Sequence, residues 1–323
     1  MPYETSPTRI GAVVIGRNEG ARLELCLRSL GGLARLVYVD SGSTDDSVAA
    51  ARALGAEVVA LDTDIPFTAA RARNAGLARL TEGGEPPDLV QFVDGDCEVQ
   101  PGWIAEAAAF LAVRPEVAVV CGRRRERFPE ATLYNRLTDM EWDTPVGEAR
   151  ACGGDALMRR AALAAVGGYN PALIAGEEPE LCVRLRLAGW KIWRLDAEMT
   201  LHDAAITRFG QWWKRTRRAG HAYAQGAALH GKGPTRHNVA QTRRALLWGA
   251  ALPLLTLLAG ALSPWGWLLL LVWPLQVLRL MRQGRPAAQA VFLTLGKIPE
   301  ALGAAEFYLS RARGRQNRLI EYK

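Results

Sequence analysis

The sequence predicts an α/β domain built as a doubly wound parallel sheet, followed by an α-helical membrane segment. Three observations carry that reading. Short apolar, β-branched runs alternate with helix-period stretches over residues 9–205. Acidic residues recur where those runs stop, and residues 245–278 contain no charged side chain.

Taken in order, residues 9–16 read as a buried first strand and Asn18-Glu19-Gly20 as a loop. Leu23, Leu27 and Leu30 then mark the apolar stripe of a helix. A second strand at 36–39 ends in Asp40-Ser-Gly-Ser-Thr-Asp-Asp46, where Ser43 or Thr44 can cap the next helix. A third strand at 57–61 stops at Asp62. Open α/β sheets bind ligands at the carboxyl ends of their strands, which here carry the acids. No Gly-x-Gly-x-x-Gly follows the first strand, so a dinucleotide-binding Rossmann domain loses its main warrant.

Residues 66–80 predict a helix with Arg71 and Arg73 near its start, placed to hold phosphates or a base, or simply exposed as helix arginines commonly are. Residues 89–98, Leu-Val-Gln-Phe-Val-Asp-Gly-Asp-Cys-Glu, read as a buried strand ending in two carboxylates, Asp94 and Asp96. Two such charges repel and are costly to bury unless paired, which a bridging divalent cation resolves; an ordinary Asp-Gly turn is the alternative. A helix at 103–113 and a strand at 117–120 precede the basic run Arg123-Arg-Arg-Glu-Arg127. Residues 128–148 have no clear period and read as irregular structure with short helices.

The pair Gly153-Gly154 permits either close backbone approach to a ligand or a plain tight turn, ahead of a short strand and helix. Glu177 and Glu178 open another helix, with Pro179 in its first turn and Gly189 at its stop. The helix dipole favours their ionised forms, so a general base there needs desolvation or neighbouring acids to raise its pKa. A last strand at 190–195 leads to His202, a metal ligand or a structural histidine.

The net charge of +7 conceals an asymmetry. Residues 1–203 hold 22 Lys/Arg against 30 Asp/Glu, whereas 204–323 hold 18 against 3. A basic half of this kind suits nucleic acid, anionic lipid or diphosphate. Its arginines flank apolar runs, which disfavours nucleic acid. Residues 209–225 set aromatics beside cations, a composition suited to a membrane interface. The uncharged run at 245–278 exceeds the roughly 20 residues of one span but falls short of two full ones. Arg243 and Arg244 precede it and Arg279, Arg282 and Arg285 follow, so the positive-inside rule puts both ends on the cytoplasmic side of an inner membrane, with a turn near Ser263-Pro264. Residues 287–310 read as an interfacial helix or broken span, before a basic tail. The expected division is a catalytic domain at 1–205, an interfacial linker at 206–244 and a membrane segment at 245–323. The five cysteines show no Cys-x-x-Cys spacing and nothing at 1–8 reads as a signal peptide, so a reducing cytoplasm is expected for the catalytic domain.

Several of these motifs coincide in order, and the chain resembles the family 2 glycosyltransferases of the GT-A fold. The resemblance rests on Asn18-Glu19, Asp40-Ser-Gly-Ser-Thr-Asp45, Ala72-Arg-Asn-Ala-Gly76, Asp94-Gly-Asp96, Gly153-Gly154 through Gly167-Gly-Tyr169, and Glu177-Glu178, over roughly residues 9–205. It implies a Rossmann-like mixed sheet and an inverting, metal-dependent transfer from a nucleotide-diphosphate sugar. Glu19, Asp40, Arg71, Arg73, Asp94, Gly153 and Gly154 would then face the nucleotide sugar. Asp96 and His202 would hold Mg²⁺ or Mn²⁺, and Glu178, or Glu177 beside it, would be the base. Gln211, Trp212 and Arg215 preserve part of a Gln-x-x-Arg-Trp pattern on the acceptor and diphosphate side, which argues against processive polymerisation. Relatives carry an aromatic residue where this chain has Arg17. The acceptor expected is a lipid-linked or cell-surface glycan precursor. The rivals are transfer to polyprenyl phosphate itself and an inactive membrane scaffold that keeps the fold.

Overall fold

The computed structural model describes residues 8–314, so the start read for a signal peptide and the basic tail lie largely outside the described residues. The chain forms two compact units. One comprises residues 1–173 and 177–205, the other residues 174–176 and 206–323.

The first unit contains one sheet whose strands run in the order β3 (Glu57–Ala60), β2 (Arg35–Asp40), β1 (Ile10–Gly16), β4 (Leu89–Asp94), β8 (Ala156–Arg159), β6 (Val117–Glu126), β9 (Lys191–His202), β5 (Cys97–Val99), with β7 (Gly147–Ala149) paired to β9. Its first half is the expected parallel array: β1 (Ile10–Gly16) lies between β2 (Arg35–Asp40) and β4 (Leu89–Asp94), and β3 (Glu57–Ala60) flanks β2. The purely parallel reading fails beyond β4. There β8 (Ala156–Arg159) runs antiparallel to both β4 and β6 (Val117–Glu126), so the sheet is mixed, as the family resemblance implied. Hydrophobic period reports which faces are buried and carries no information about strand direction.

Among the described residues seven helices flank this sheet: α1 (Ala21–Ser29), α2 (Ser47–Ala53), α3 (Ala69–Thr81), α4 (Trp103–Val113), α5 (Leu133–Trp142), α6 (Arg160–Ala165) and α7 (Glu177–Leu187). The helix α3 (Ala69–Thr81) begins where Thr68 Oγ1 accepts from the Arg71 backbone N–H at 3.1 Å. A Cβ on Gly76 would lie 2.3 Å from Val13 Cγ1, so glycine lets α3 press directly on β1. Val13, Val37, Val90, Phe92, Val119 and Leu157 are fully enclosed in the resulting core. The segment read as irregular contains α5 (Leu133–Trp142), capped by Thr132, and a short strand β7 (Gly147–Ala149). The last strand also runs further than expected: β9 (Lys191–His202) continues to the histidine. Its final residues pair antiparallel with β5 (Cys97–Val99), Cys97 opposite His202.

In the second unit a helix spans Phe209–His230. Two more, Val239–Leu262 and Pro264–Arg282, are long and apolar enough to cross a membrane. They meet at Ser263, which leaves helical conformation and accepts from the Trp265 N–H, in agreement with the expected turn. The first widens at Leu247–Ala251 just ahead of Pro253, whose ring removes one rung of the ladder. Leu258, Leu262 and Trp265 are 64, 88 and 78% exposed. Residues 287–310 form two helices, Ala287–Leu295 and Lys297–Ala312, broken at Gly296.

Candidate active site

The carboxyl ends of β1, β2 and β4 define the site, and the first two are tied together by their loops. Asn18, in a left-handed conformation (φ 55°), accepts from Thr44 N–H through Oδ1 at 2.7 Å, and its own N–H donates to Ser43 Oγ at 2.9 Å. Gly20 N–H donates to Asp45 Oδ2 at 3.2 Å. Asp40 Oδ2 accepts from Gly42 and Ser43 N–H groups, both at 3.0 Å, while Oδ1 takes the Tyr38 hydroxyl. Asp40 thus fixes its own turn. Glu19 is paired with Arg22 at 2.8 Å. Arg71 donates to the carbonyls of Ile65 and Asp62, which commits much of its guanidinium to shaping that loop.

Arg73 lies at the centre. Its Nη2 is 2.8 Å from Asp94 Oδ1, its Nη1 is 2.6 Å from Glu177 Oε1, and its guanidinium packs on the Tyr169 ring. Burial opposes the arginine's charge, but the Asp94 carboxylate more than compensates and drives its pKa upward. The converse holds for Asp94: burial opposes ionisation, and Arg73 and Arg124 overcome it, holding the carboxyl below its usual range. Arg73 and Glu177, 104 residues apart in the chain, therefore meet, because α3 and α7 (Glu177–Leu187) both bring an early residue to the end of β4.

Asp96, two residues beyond that strand, meets His202 through the β5–β9 pairing. Asp96 Oδ2 is 3.1 Å from His202 Nε2, and both residues are buried. A carboxylate and an imidazole nitrogen side by side make a donor pair suited to a divalent ion. The buried Nδ1 of His202 has no hydrogen-bond partner among the described residues; the ring stacks on Trp142 instead, at 4.6 Å between centroids. The residues present therefore fit a metal, with Trp142 rather than a polar group orienting the imidazole.

Gly153 and Gly154 adopt φ of 83° and 93°, where glycine is strongly favoured. A Cβ on Gly154 would stand 3.1 Å from Arg124 Nη2, 3.4 Å from Arg73 Nη2 and 3.7 Å from Asp94 Oδ2, so the turn is a close approach to the charged cluster. Glu178 is 4% exposed; its Oε1 accepts from the Cys152 N–H at 2.5 Å and from the Cys182 thiol at 3.0 Å.

Three participants were not singled out from sequence. Asp155 is fully buried, accepts from the Asp94 N–H through Oδ1 and from Thr200 Oγ1 through Oδ2, and pairs with Arg124 at 2.9 Å. Arg124 in turn packs on Trp142, 5.3 Å from its ring centroid. Asp155 directly follows the glycine pair and Arg124 lies within the noted arginine run, so both were visible as residues; their meeting depends on β8 lying between β4 and β6.

Gln211, Trp212 and Arg215 belong to the second unit. Gln211 Oε1 accepts from the N–H groups of Thr207 and Arg208, capping the helix that follows. Trp212 is buried edge-on against Phe292, 4.8 Å between centroids, and Arg215 is half-buried on the same helix.

Residues 12–166 match the model of the glycosyl transferase family 2. The match covers just under half of the chain, and the mixed sheet has the GT-A fold of glycosyltransferases similar to it. It is 27% identical over 218 residues to the pre-mycofactocin glycosyltransferase of Mycobacterium tuberculosis, covering 62% of this chain and 44% of that protein. It is 30% identical over 172 residues to the succinoglycan biosynthesis protein ExoA of Rhizobium meliloti, covering 50 and 52%. The chain thus spans about half the length of these curated relatives. Among solved structures, a mannosyltransferase from Pyrobaculum calidifontis, PcManGT, in complex with GDP-Man and Mn²⁺, superposes with a TM-score of 0.65 at 18% identity, over 96% of this chain and 91% of that one. The glucosyl-3-phosphoglycerate synthase of M. tuberculosis, solved with Mn²⁺, UDP and glucosyl-3-phosphoglycerate, gives 0.51 at 21% identity, over 70 and 81%.

Proposed function

We propose that this protein is a membrane-attached, metal-dependent, inverting glycosyltransferase that moves a sugar from a nucleotide-diphosphate donor to a lipid-linked or cell-surface glycan precursor. The observation that carries this reading is the convergence of Arg73, Asp94 and Glu177 at one strand end, with Asp96 beside His202 two residues further on. The GDP-Man and Mn²⁺ of the PcManGT complex, and the UDP and Mn²⁺ of the glucosyl-3-phosphoglycerate synthase complex, support a nucleotide sugar and a divalent ion.

In this reading Asp96 and His202 hold Mg²⁺ or Mn²⁺. Such an ion, when bound, neutralises charge on the departing nucleoside diphosphate. Arg73 fixes Asp94 toward the ribose or sugar and holds Glu177 at the mouth of the turn. The Asn18–Thr44 and Asp40–Ser43 contacts keep the two loops around the nucleoside in place, with Glu19 and Arg71 bracing them. Gly153 and Gly154 let the backbone approach the donor. Glu178 or Glu177 removes the acceptor hydroxyl's proton as that oxygen attacks in line and inverts the anomeric carbon. Residues 123–148 are the segment suited to excluding water.

Residues 1–205 would act in the cytoplasm, residues 206–244, with Gln211, Trp212 and Arg215, at the interface, and residues 245–323 as the anchor in the inner membrane. The two apolar helices and their flanking arginines support that placement. Transfer to polyprenyl phosphate is a second reading, favoured by one observation: both carboxylates at the α7 terminus are already engaged, Glu177 by Arg73 and Glu178 by Cys152 and Cys182. An acceptor that is already an anion needs no base.

The test is a panel of nucleotide sugars assayed with Mn²⁺ or Mg²⁺ for thermal stabilisation and nucleoside diphosphate release. One donor should saturate both signals. No stabilisation and no release across the panel would leave an inactive scaffold as the correct description.

A further inference from the structure

Glu178, one of the two candidate bases, converges with two thiols, Cys152 and Cys182, that take no part in the mechanism above. Glu178 and Cys182 stand one turn apart on the same side of α7. Cys152 immediately precedes the glycine pair, and its N–H donates to Glu178 Oε1. The two sulfurs are 3.9 Å apart, Cys182 Sγ is 3.0 Å from Glu178 Oε1, and the three ligand atoms all lie within 4.8 Å of one another. Both cysteines are free and buried.

We propose that Cys152, Cys182 and Glu178 form a second metal site, separate from Asp96 and His202, that takes a soft divalent cation such as Zn²⁺ or Cd²⁺. The spacing suits it. Two sulfurs each about 2.3 Å from a tetrahedral zinc stand about 3.8 Å apart, and a sulfur and a carboxylate oxygen stand about 3.6 Å apart. The sulfur pair already has that separation, and the sulfur–oxygen pair is slightly closer because a thiol hydrogen bond joins it. Binding forms two metal–thiolate bonds and one metal–carboxylate bond, releases the two thiol protons to solvent, and leaves a fourth position to water.

Thiolates select against Mg²⁺ and Mn²⁺, which prefer oxygen donors, so this site and the Asp96–His202 pair would sort their ions by ligand softness. Occupancy would also withdraw Glu178 from proton transfer. That last consequence, inhibition by Zn²⁺ under saturating Mg²⁺, rests on the proposed function; metal binding itself does not.

The experiment titrates Cd²⁺ alone into the full-length protein and into Cys152→Ser and Cys182→Ser, following the thiolate-to-metal charge-transfer absorption in the ultraviolet. Wild type should bind one equivalent with the intensity of two thiolates. Each variant should bind more weakly by more than the roughly 10–100-fold lost when only an outer partner of a metal ligand is removed. A parallel measurement needs no variant: Zn²⁺ should protect Cys152 and Cys182, and not Cys26 or Cys121, from alkylation read by peptide mass. Absence of the band, a band that survives in both serine variants because Cys97 beside Asp96 is its source, or unprotected Cys152 and Cys182 in the wild type would overturn the proposal. A two-thiolate band in a protein that turns over no nucleotide sugar would sustain this site while removing the glycosyltransferase reading.

Discussion

Arg73 Nη2 stands 2.8 Å from Asp94 Oδ1, and this pair ties the helix α3 to the end of strand β4. The arginine is almost wholly buried and also holds Glu177. Removing one member of a buried pair strands the others, at a cost of about 3–5 kcal/mol. Arg73→Ala should therefore lower stability by about that much and abolish donor binding. Arg73→Lys should restore part of the stability and little of the binding, since one ammonium cannot reproduce the fork that reaches two carboxylates. Chemical denaturation and donor titration together check this; wild-type donor affinity in Arg73→Lys would contradict it.

Asp96→Ala and His202→Ala should weaken Mn²⁺ binding while leaving far-ultraviolet circular dichroism unchanged. Loss of a ligand should exceed the roughly 10–100-fold effect of an outer partner. Trp142→Ala, which removes the ring stacked on His202, should fall within that smaller range. Paramagnetic resonance of bound Mn²⁺ measures all three.

Gly154→Ala places a side chain at φ 93° against Arg124 and Arg73. Backbone strain alone should cost about 1–3 kcal/mol. Activity should fall further than stability, because the displaced guanidiniums belong to the site. Gly153→Ala has the same strain with open space around its Cβ, so its stability loss should occur without an equal loss of turnover.

Glu177→Gln and Glu178→Gln separate the two acceptor chemistries. With a hydroxyl acceptor, the variant lacking the base should lose about 10²–10⁴ in kcat. With a phosphate acceptor both should turn over at nearly the wild-type rate, apart from weaker donor binding in Glu177→Gln, where Arg73 loses a charged partner. Single-turnover rates with excess enzyme distinguish the cases.

The loop clasp adds a pH dependence. The Ser47 hydroxyl, with the Ser47 and Gly20 N–H groups, holds Asp45 below its ordinary value. A carboxyl with a lowered folded pKa contributes stability above its unfolded value, about 3.9, and loses that contribution as pH falls through the lowered folded value. The stability difference between wild type and Asp45→Asn should therefore be constant near neutrality and shrink below about pH 4. Denaturation midpoints over that range test the sign.

The strands from Ile10 to Asp94 and the helix beginning at Glu177 were legible because alternating apolar runs, caps and glycine stops are local signals. So were the motif residues Asp94, Asp96, Arg73 and His202. What eluded the sequence was non-local. The antiparallel insertion of β8 makes Asp155 the acceptor for the Asp94 N–H, and no period announces it. The helix ending at Trp142 lies in a segment without a clear apolar repeat, so the ring over His202 came only with the structure. The engaged state of Glu178 was equally hidden, because its partners are a backbone N–H and a thiol from distant positions.

The proposed function turns on metal-assisted sugar transfer through Asp96 and His202. It is tested most directly by nucleoside diphosphate release from a saturating donor and acceptor as EDTA is titrated in and Mn²⁺ or Mg²⁺ is then restored. Release should stop with chelation, return with the ion, and fail to return in Asp96→Ala. Undiminished release in excess EDTA would contradict it.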